Sequence, residues 1–451
     1  MRRLIMRLST FSTTTATMFL LLVCSQLLLA NSCHSKVYLE INQPNIRKIP
    51  LAIAPLQPMG GQDKMIEIAA PFRDVMVSDL DFSTFFEVIA DPSTYLEDSQ
   101  KAGISLGTFD FRDWSLTGAE LLIKGGYYRT AEQLVLELRL FNVFSQNMIF
   151  GKRYRGRPED HRLIAHKFCN EVVQTITGLP GEFSSKIAFV ATKTEHGIKE
   201  IYTMDYDGNG LQQVTSNGGI NLSPTWSHDV TKLAYTSYKR NNPDLYILDF
   251  SRGREKLIAD KKGLNTAAEW SQTNQQFVLM QSFEDNAEIA IISTTTGQLI
   301  RRLTNNWASD ASPCWAPSGK EIAFVSDRAG SPQIYIMDHR GKDLRRITHT
   351  GNYNAHPDWS SHTNKIVFSS IIDNAFQICS IDPDGRNLLQ LSFLKGDNED
   401  PCWSPNGRHI VFTSSASGVK QLMIMDLHGH NLKEITNGVM EKQSPSWSNN
   451  Q

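Results

Sequence analysis

A chain of 451 residues is longer than one ordinary domain, and 40% hydrophobic with 20% charged residues suits two or more packed cores. The formal net charge of −2 supplies no basic excess to neutralise phosphates, which argues against a dedicated nucleic-acid binder. Past the N-terminus no run of about 18 apolar residues occurs, so nothing in the body of the chain reads as a membrane span.

The N-terminus differs. Arg2, Arg3 and Arg7 precede a Ser/Thr-rich stretch and then MFLLLVCSQLLLA at 18–30, with small residues at Ala30 and Ser32. A basic head, a short apolar run and small residues form a secretory signal pattern, so residues 1–35 are expected to be a leader and the chain to be exported. A membrane anchor is the competing reading. Cys33 follows Ala30, Asn31 and Ser32, whereas a lipid-attachment site wants Leu or a similar residue three before the Cys. Cys33, Cys169, Cys314, Cys379 and Cys402 are scattered and form no Cys-x-x-Cys pair, so the later four are expected to be small core residues.

Residues 36–180 read as a small α/β domain. RKIPLAIAPL (47–56) and FFEVIA (85–90) are predicted strands, with a helix PFRDVMVSDLDFS between them whose Pro71 is expected in its first turn. AELLIKGGYYR, QLVLELRLFNV and MIFGKRYRG predict a three-strand meander. Residues 157–178 predict a helix with an apolar stripe of Leu163, Phe168, Val172 and Ile176, capped by Gly178. LPGEF leads to the next domain.

From about 183 to 451 the chain repeats. Trp226, Trp270, Trp315, Trp359, Trp403 and Trp447 recur every 44 or 45 residues and close the phrases SPTW, AAEW, SPCW, HPDW, DPCW and SPSW. A turn follows most of them, then apolar runs such as EIAFV and QIYIMD whose odd and even positions are both apolar. Four short strands per unit, buried on both faces, predict a propeller of six blades. The Pro and the Ser-Gly turn around each Trp are taken to mark the ends of an inner strand. The first run, KIAFVA at 186–191, has no Pro-x-Trp before it, and SPSWS at 444–448 has no run after it. The last strand is therefore expected to complete the first blade and remove the open edge.

Motifs of chemistry are sparse. GISLG at 103–107 fits Gly-x-Ser-x-Gly, but a nucleophile elbow needs a strand before it and a helix after it, and polar DPSTYLEDSQKA precedes Ser105. DYDGNG and DPDGRN lack the Glu that ends a calcium loop and read as hairpin turns. No phosphate-binding loop or zinc signature occurs, so no cofactor or metal is expected. The six Trp residues at one repeat position are read as packing anchors, not as a stacking site.

The copies differ most just before each Pro-x-Trp. There Asn265, Ala267, Asp310, Asn354, His356, Glu399 and Asp400 are expected to form a polar, somewhat acidic rim on one face. An ordinary solvated rim is the bland alternative.

The leader, LDFSTFFEV, WSLTGAELLIKGGY, RLFNV, GKRYRG, ITGLPGEF and six Pro-x-Trp phrases together resemble the TolB family of the Tol–Pal envelope system. The resemblance covers essentially the whole mature chain. It implies a periplasmic, non-enzymatic adaptor, active in envelope integrity and constriction at division. Its rim would receive the peptidoglycan-associated lipoprotein Pal. The first mature residues, here within KVYLEINQPN (Val37, Tyr38, Leu39, Glu40 and Ile41), would add as a strand to the inner-membrane protein TolA. That segment is richer in Asn and Pro than the family form. The alternative function is a propeller hydrolase, or a glycan-binding propeller, acting at the axial channel.

Overall fold

The computed structural model describes residues 47–59, 66–89, 96–97, 100, 103–130, 133–193 and 197–450. The expected leader (1–35) and the segment Val37–Ile41 lie outside the described residues.

The first part is a mixed sheet with helices on it. β1 (Ile49–Ile53) runs parallel to β3 (Phe86–Val88) on one side and to β4 (Leu121–Arg129) on the other, with β2 (Gln57–Pro58) beside the far end of β4. β5 (Leu134–Asn142) and β6 (Asn147–Gly156) complete an antiparallel meander. Leu134, Leu136, Leu138 and Leu140 are fully buried on one face, as period-2 alternation requires. α1 (Ile66–Phe82) packs against α3 (His161–Thr177), while Trp114 of α2 (Phe111–Leu116) joins Leu122 and Phe141 in a cluster on the sheet's other face.

Two expectations here need correction. α1 starts at Ile66, so Pro71 lies inside the helix and not in its first turn. Pro71 is the sixth residue of α1, two beyond the four N-terminal donors that lack partners anyway, so the helix forgoes a main-chain bond there while buried Phe72, Met76 and Leu80 hold it in place. In α3 the buried stripe is Ile164, Ala165, Phe168, Cys169, Val172 and Val173; Leu163 is exposed and Ile176 only half-buried. Leu163 and Phe168 are five residues apart, which places them on different sides of a helix. Gly178 does cap α3 in the left-handed region, at φ 78°.

The second part is a ring of six four-stranded antiparallel sheets. Blades 1 to 5 begin with inner strands Asn221–Trp226, Asn265–Trp270, Asp310–Trp315, Asn354–Trp359 and Asn398–Trp403. Blade 6 pairs the C-terminal strand Glu441–Trp447 with Lys186–Lys193, so the two ends of the repeat region close one sheet. All six Trp residues are 2–8% exposed. Each lies at the boundary with the preceding blade: Trp270 sits with Leu245 and Ile247 of blade 1, and Trp315 with Ile289 and Ile291 of blade 2.

The proline of each Pro-x-Trp lies inside the inner strand, not at its end. The ladder shifts register between Leu222 and Thr225, and again at the same place in every copy. Such a bulge leaves residues unpaired, so a residue with no N–H is tolerated there. The residue before it takes positive φ each time: Ser223, Ala267, Ser312, His356, Asp400 and Ser444, at 46–52°.

The phrases DYDGNG and DPDGRN are turns between third and fourth strands. Gly208 and Gly385 close them at φ 91° and 83°, and Asp205 and Asp382 accept Lys186 and Lys365 Nζ at 2.7 and 2.6 Å. A Cβ on Gly208 would stand 2.6 Å from the Ile435 carbonyl oxygen of the neighbouring blade, so the glycine permits both the turn and the blade contact.

Candidate functional site

The two ends of the ring have different occupants. Inner strands end, and third-to-fourth-strand turns lie, on the face carrying the N-terminal domain. There Tyr206 Oη donates to Asp79 Oδ1 of α1 at 2.6 Å, and His166 Nδ1 of α3 meets Asp79 Oδ2 at 2.8 Å. Burial raises the Asp79 carboxyl above its usual range even though His166 and Tyr206 oppose the shift. Nearby, His409 Nδ1 lies 2.7 Å from Glu182 Oε1 and stacks on Phe82 with ring centroids 4.0 Å apart. This seam is fully packed. The opposite face, where inner strands begin, carries the loops between blades.

On that free face the predicted rim residues separate into two groups. Asn265, Asp310 and Asn354 are 0, 0 and 1% exposed, so they are not surface side chains. Each begins an inner strand, and its polar atoms tie that strand to the neighbouring blade or to the loop just before it. Asn354 Nδ2 donates to Gln333 Oε1 at 2.8 Å, and Thr348 Oγ1 donates to the same oxygen at 2.8 Å. Asn398 and Gln377 repeat the arrangement with Ser392, and Asn221 and Glu200 with Thr215. Arg328 Nη2 reaches both Asp310 carboxylate oxygens, at 2.9 and 3.0 Å. A buried amide or carboxylate needs such partners: the neighbouring blade supplies Gln333 to Asn354, and Asp310's own blade supplies Arg328. The strand-opening residue is Asn in blades 1, 2, 4 and 5 and Asp in blade 3, buried each time.

The second group is at the axial opening. His356 Nδ1 lies 2.8 Å from Asp400 Oδ1, and Ser444 Oγ donates to Asp400 Oδ2 at 2.9 Å, joining the bulges of three successive blades. Enclosure in the channel works against the charge on His356, but Asp400 outweighs it and raises the imidazole pKa. Enclosure likewise opposes the Asp400 charge, yet His356, Ser444 and Lys420 bring that carboxyl down to about 2. Ala267 occupies the same bulge position in blade 2, half-buried. Glu399 is paired with Lys420 at 2.6 Å. Deeper in the ring, Glu269 and Asp358 accept the main-chain N–H of the next blade's Trp315 and Trp403, at 2.5 and 2.6 Å. Cys402 occupies the corresponding place in blade 5 and is only partly buried; its Sγ accepts Trp447 N–H at 3.3 Å.

The interblade loops of the same face carry exposed apolar side chains. Trp307, Phe393 and Val439 on these loops are 78, 77 and 82% exposed, and Ile220 and Tyr353 on two further interblade loops are 40 and 38% exposed. The usable signal was large apolar residues in loops that packing does not need. Ser105 lies in a turn in the N-terminal domain, where its Oγ accepts Arg139 Nη1 at 2.7 Å and Thr108 Oγ1 donates to its carbonyl. Turn and bend surround it, not the strand and helix of a nucleophile elbow. Among the described residues no cluster of three His, Cys, Asp or Glu is arranged to hold a metal, and no helix is long and apolar enough to cross a membrane.

Comparison with known proteins agrees with this architecture. Residues 37–149 match the TolB amino-terminal domain and residues 173–451 the TolB beta propeller domain. A Tol-Pal system protein TolB of Desulfosudis oleivorans is 38% identical over 272 residues, 60% of each chain. A protein TolB homolog of Chlorobium luteolum is 32% identical over 301 residues, 67% of each. The chain thus spans about three fifths to two thirds of the length of these curated relatives. The crystal structure of TolB from Acinetobacter baumannii superposes with a TM-score of 0.77 and 26% identity, covering 91% of this chain and 99% of that one. Two domains matched in the same order, across a closed six-bladed ring, establish that this chain belongs to the TolB family.

Proposed function

We propose that this protein is a non-enzymatic, periplasmic adaptor of a Tol–Pal system. In this reading the free propeller face binds a Pal-like, peptidoglycan-associated lipoprotein. The segment containing Val37–Ile41, outside the described residues, engages a TolA-like inner-membrane protein as an added strand. Family membership supports the system, and the relatives' names carry it. The observation that carries the docking face is its exposed apolar loop residues: Trp307, Phe393 and Val439 are each more than three-quarters exposed in loops between blades, on the face opposite the N-terminal domain. Large exposed apolar side chains on one face, interspersed with polar residues, are the composition of protein–protein contact surfaces.

Titrating the soluble domain of the organism's own Pal-like lipoprotein against purified protein tests this. Trp307→Ala with Phe393→Ala is expected to weaken binding at least about tenfold with an unchanged melting temperature. Leu116→Ala, which removes an equally exposed residue from the N-terminal domain, is expected to leave it unchanged. Full affinity in the double variant would remove the face from the proposal.

A further inference from the structure

The phrase GKRYRG at 151–156 has no part in the docking face; it forms the second half of β6, an edge strand of the N-terminal sheet. Its side chains alternate between the two faces of that sheet. Lys152 and Tyr154 turn towards α3, where Glu171 answers both, at 2.9 Å from Lys152 Nζ and 3.0 Å from Tyr154 Oη. Arg153 and Arg155 turn to the opposite face. There Arg153 Nη2 meets Glu137 Oε1 at 2.6 Å, and Arg139 Nη2 meets the other oxygen of Glu137 at 3.4 Å. Arg155 is exposed and, among the described residues, has no carboxylate within ion-pair distance.

The ladder places these groups in rows across the meander. Tyr128, Val135 and Arg155 form one row, Gly126, Glu137 and Arg153 the next, and Lys124, Arg139 and Gly151 the third. Four cationic side chains therefore share this face with one carboxylate, in a chain whose net charge is −2. Phe109 and Trp114 lie against Lys124, so the first two rows are the open part. A cavity of about 370 Å3 stands over them, lined by Met59, Tyr128, Gln133, Val135, Arg153 and Arg155. Gly126 gives room for one wall: a Cβ there would lie 2.8 Å from Met59 Cγ.

Guanidinium groups beside a concavity suit a carboxylate or a phosphate, and Arg155 can offer its charge without first breaking an ion pair. The Tyr128 ring, Met59 and Val135 give apolar contact. The Tyr128 hydroxyl and the Gln133 amide need hydrogen-bonding partners that a hydrocarbon body would not supply and a hydroxyl-bearing ring would. We propose that this cavity binds an acidic sugar, with its carboxylate or phosphate on Arg155 and Arg153 and its ring against Tyr128. The site belongs to the N-terminal domain and stands or falls independently of the docking face on the propeller.

The test is a nuclear magnetic resonance titration of the full mature protein with four probes. N-acetylmuramic acid carries a carboxylate, a glucose phosphate ester carries a phosphate, N-acetylglucosamine carries neither, and inorganic phosphate lacks the sugar. Saturable shifts confined to amides of 126–128, 133–135 and 153–155 are expected with at least one acidic sugar, and the tighter of the two identifies the anionic group. The neutral sugar is expected to bind at least about tenfold more weakly, the scale of one charge-assisted hydrogen bond. Arg155→Gln is expected to weaken the acidic sugar about tenfold with an unchanged melting temperature, and Arg155→Lys to weaken it less, because the charge stays and the fork is lost. No saturable shift with either acidic sugar, equal binding of N-acetylglucosamine, or undiminished binding in folded Arg155→Gln overturns the site. Inorganic phosphate binding as tightly as the better acidic sugar overturns the role of the sugar ring.

Discussion

The propeller and the N-terminal domain are held together on different principles. In the propeller one set of contacts is repeated around a ring, and the strand Glu441–Trp447 carries the closing copy. In the N-terminal domain each contact is made once: a single Trp114 anchors α2, and a single Lys124, 1% exposed, is pinned by the Gln100 carbonyl at 2.6 Å. Burial lowers that lysine's pKa to about 8. A repeat shows which residues are interchangeable and which are not. A unique contact offers no such standard.

The largest expected effect sets one region against the other. Trp447→Ala and Trp114→Ala each empty a buried indole site and are expected to cost about 4 kcal/mol. Trp447 lies in the blade that closes the ring, so its loss is expected to reduce hydrogen-exchange protection in every blade. Trp114→Ala is expected to affect only the N-terminal sheet. Damage confined to blade 6 in Trp447→Ala would mean that closure is not cooperative.

A finer cut separates blade contact from turn conformation. Gly429 and Gly418 have φ of 83° and 90°, but a Cβ on Gly429 would meet the Leu391 carbonyl oxygen at 2.3 Å, whereas one on Gly418 meets nothing within 4 Å. Gly418→Ala is expected to cost about 1 kcal/mol and Gly429→Ala about 3 kcal/mol, read by urea denaturation. Equal costs would show that the neighbouring blade yields freely.

The smallest effect is one of pH. Burial raises the Asp358 carboxyl to about 6 despite the Trp403 N–H it accepts. A carboxyl with a folded-state pKa above its unfolded value favours folding while protonated, so stability falls as pH rises from the ordinary carboxylate range to about 6. Asp358→Asn keeps an oxygen for Trp403 N–H and cannot ionise. It is expected to flatten that slope and to be about 1–2 kcal/mol more stable at neutral pH, discounted for water in the channel. Parallel stability–pH curves for the two proteins would refute this.

Much of the fold was legible because it is periodic. Residues such as Trp315 recur in a fixed environment, and apolar runs such as Glu321–Ser326 are buried on both faces, as ring packing demands. The order of the N-terminal strands and the Gly178 cap were also readable, since local propensity and turn chemistry determine them. Helix phase in α3 is less legible: Leu163 is apolar yet exposed, because apolar composition alone does not define a face. The candidate site was harder to read. Asn265, Asp310 and Asn354 are polar and next to loops, which in sequence is indistinguishable from a wet rim.

By itself, then, the sequence determined the repeat length, the number of blades, the closure of the ring and the two-domain order, because these follow from spacing and from hydrophobic patterning along one dimension. Only the tertiary structure decided which polar residues face water and which bridge blades. It also decided that the proline sits in a bulge and that the interblade loops expose Trp307 and Phe393. Those properties depend on what lies across a gap from each side chain, and neighbours across a gap are brought together by folding, not by sequence distance.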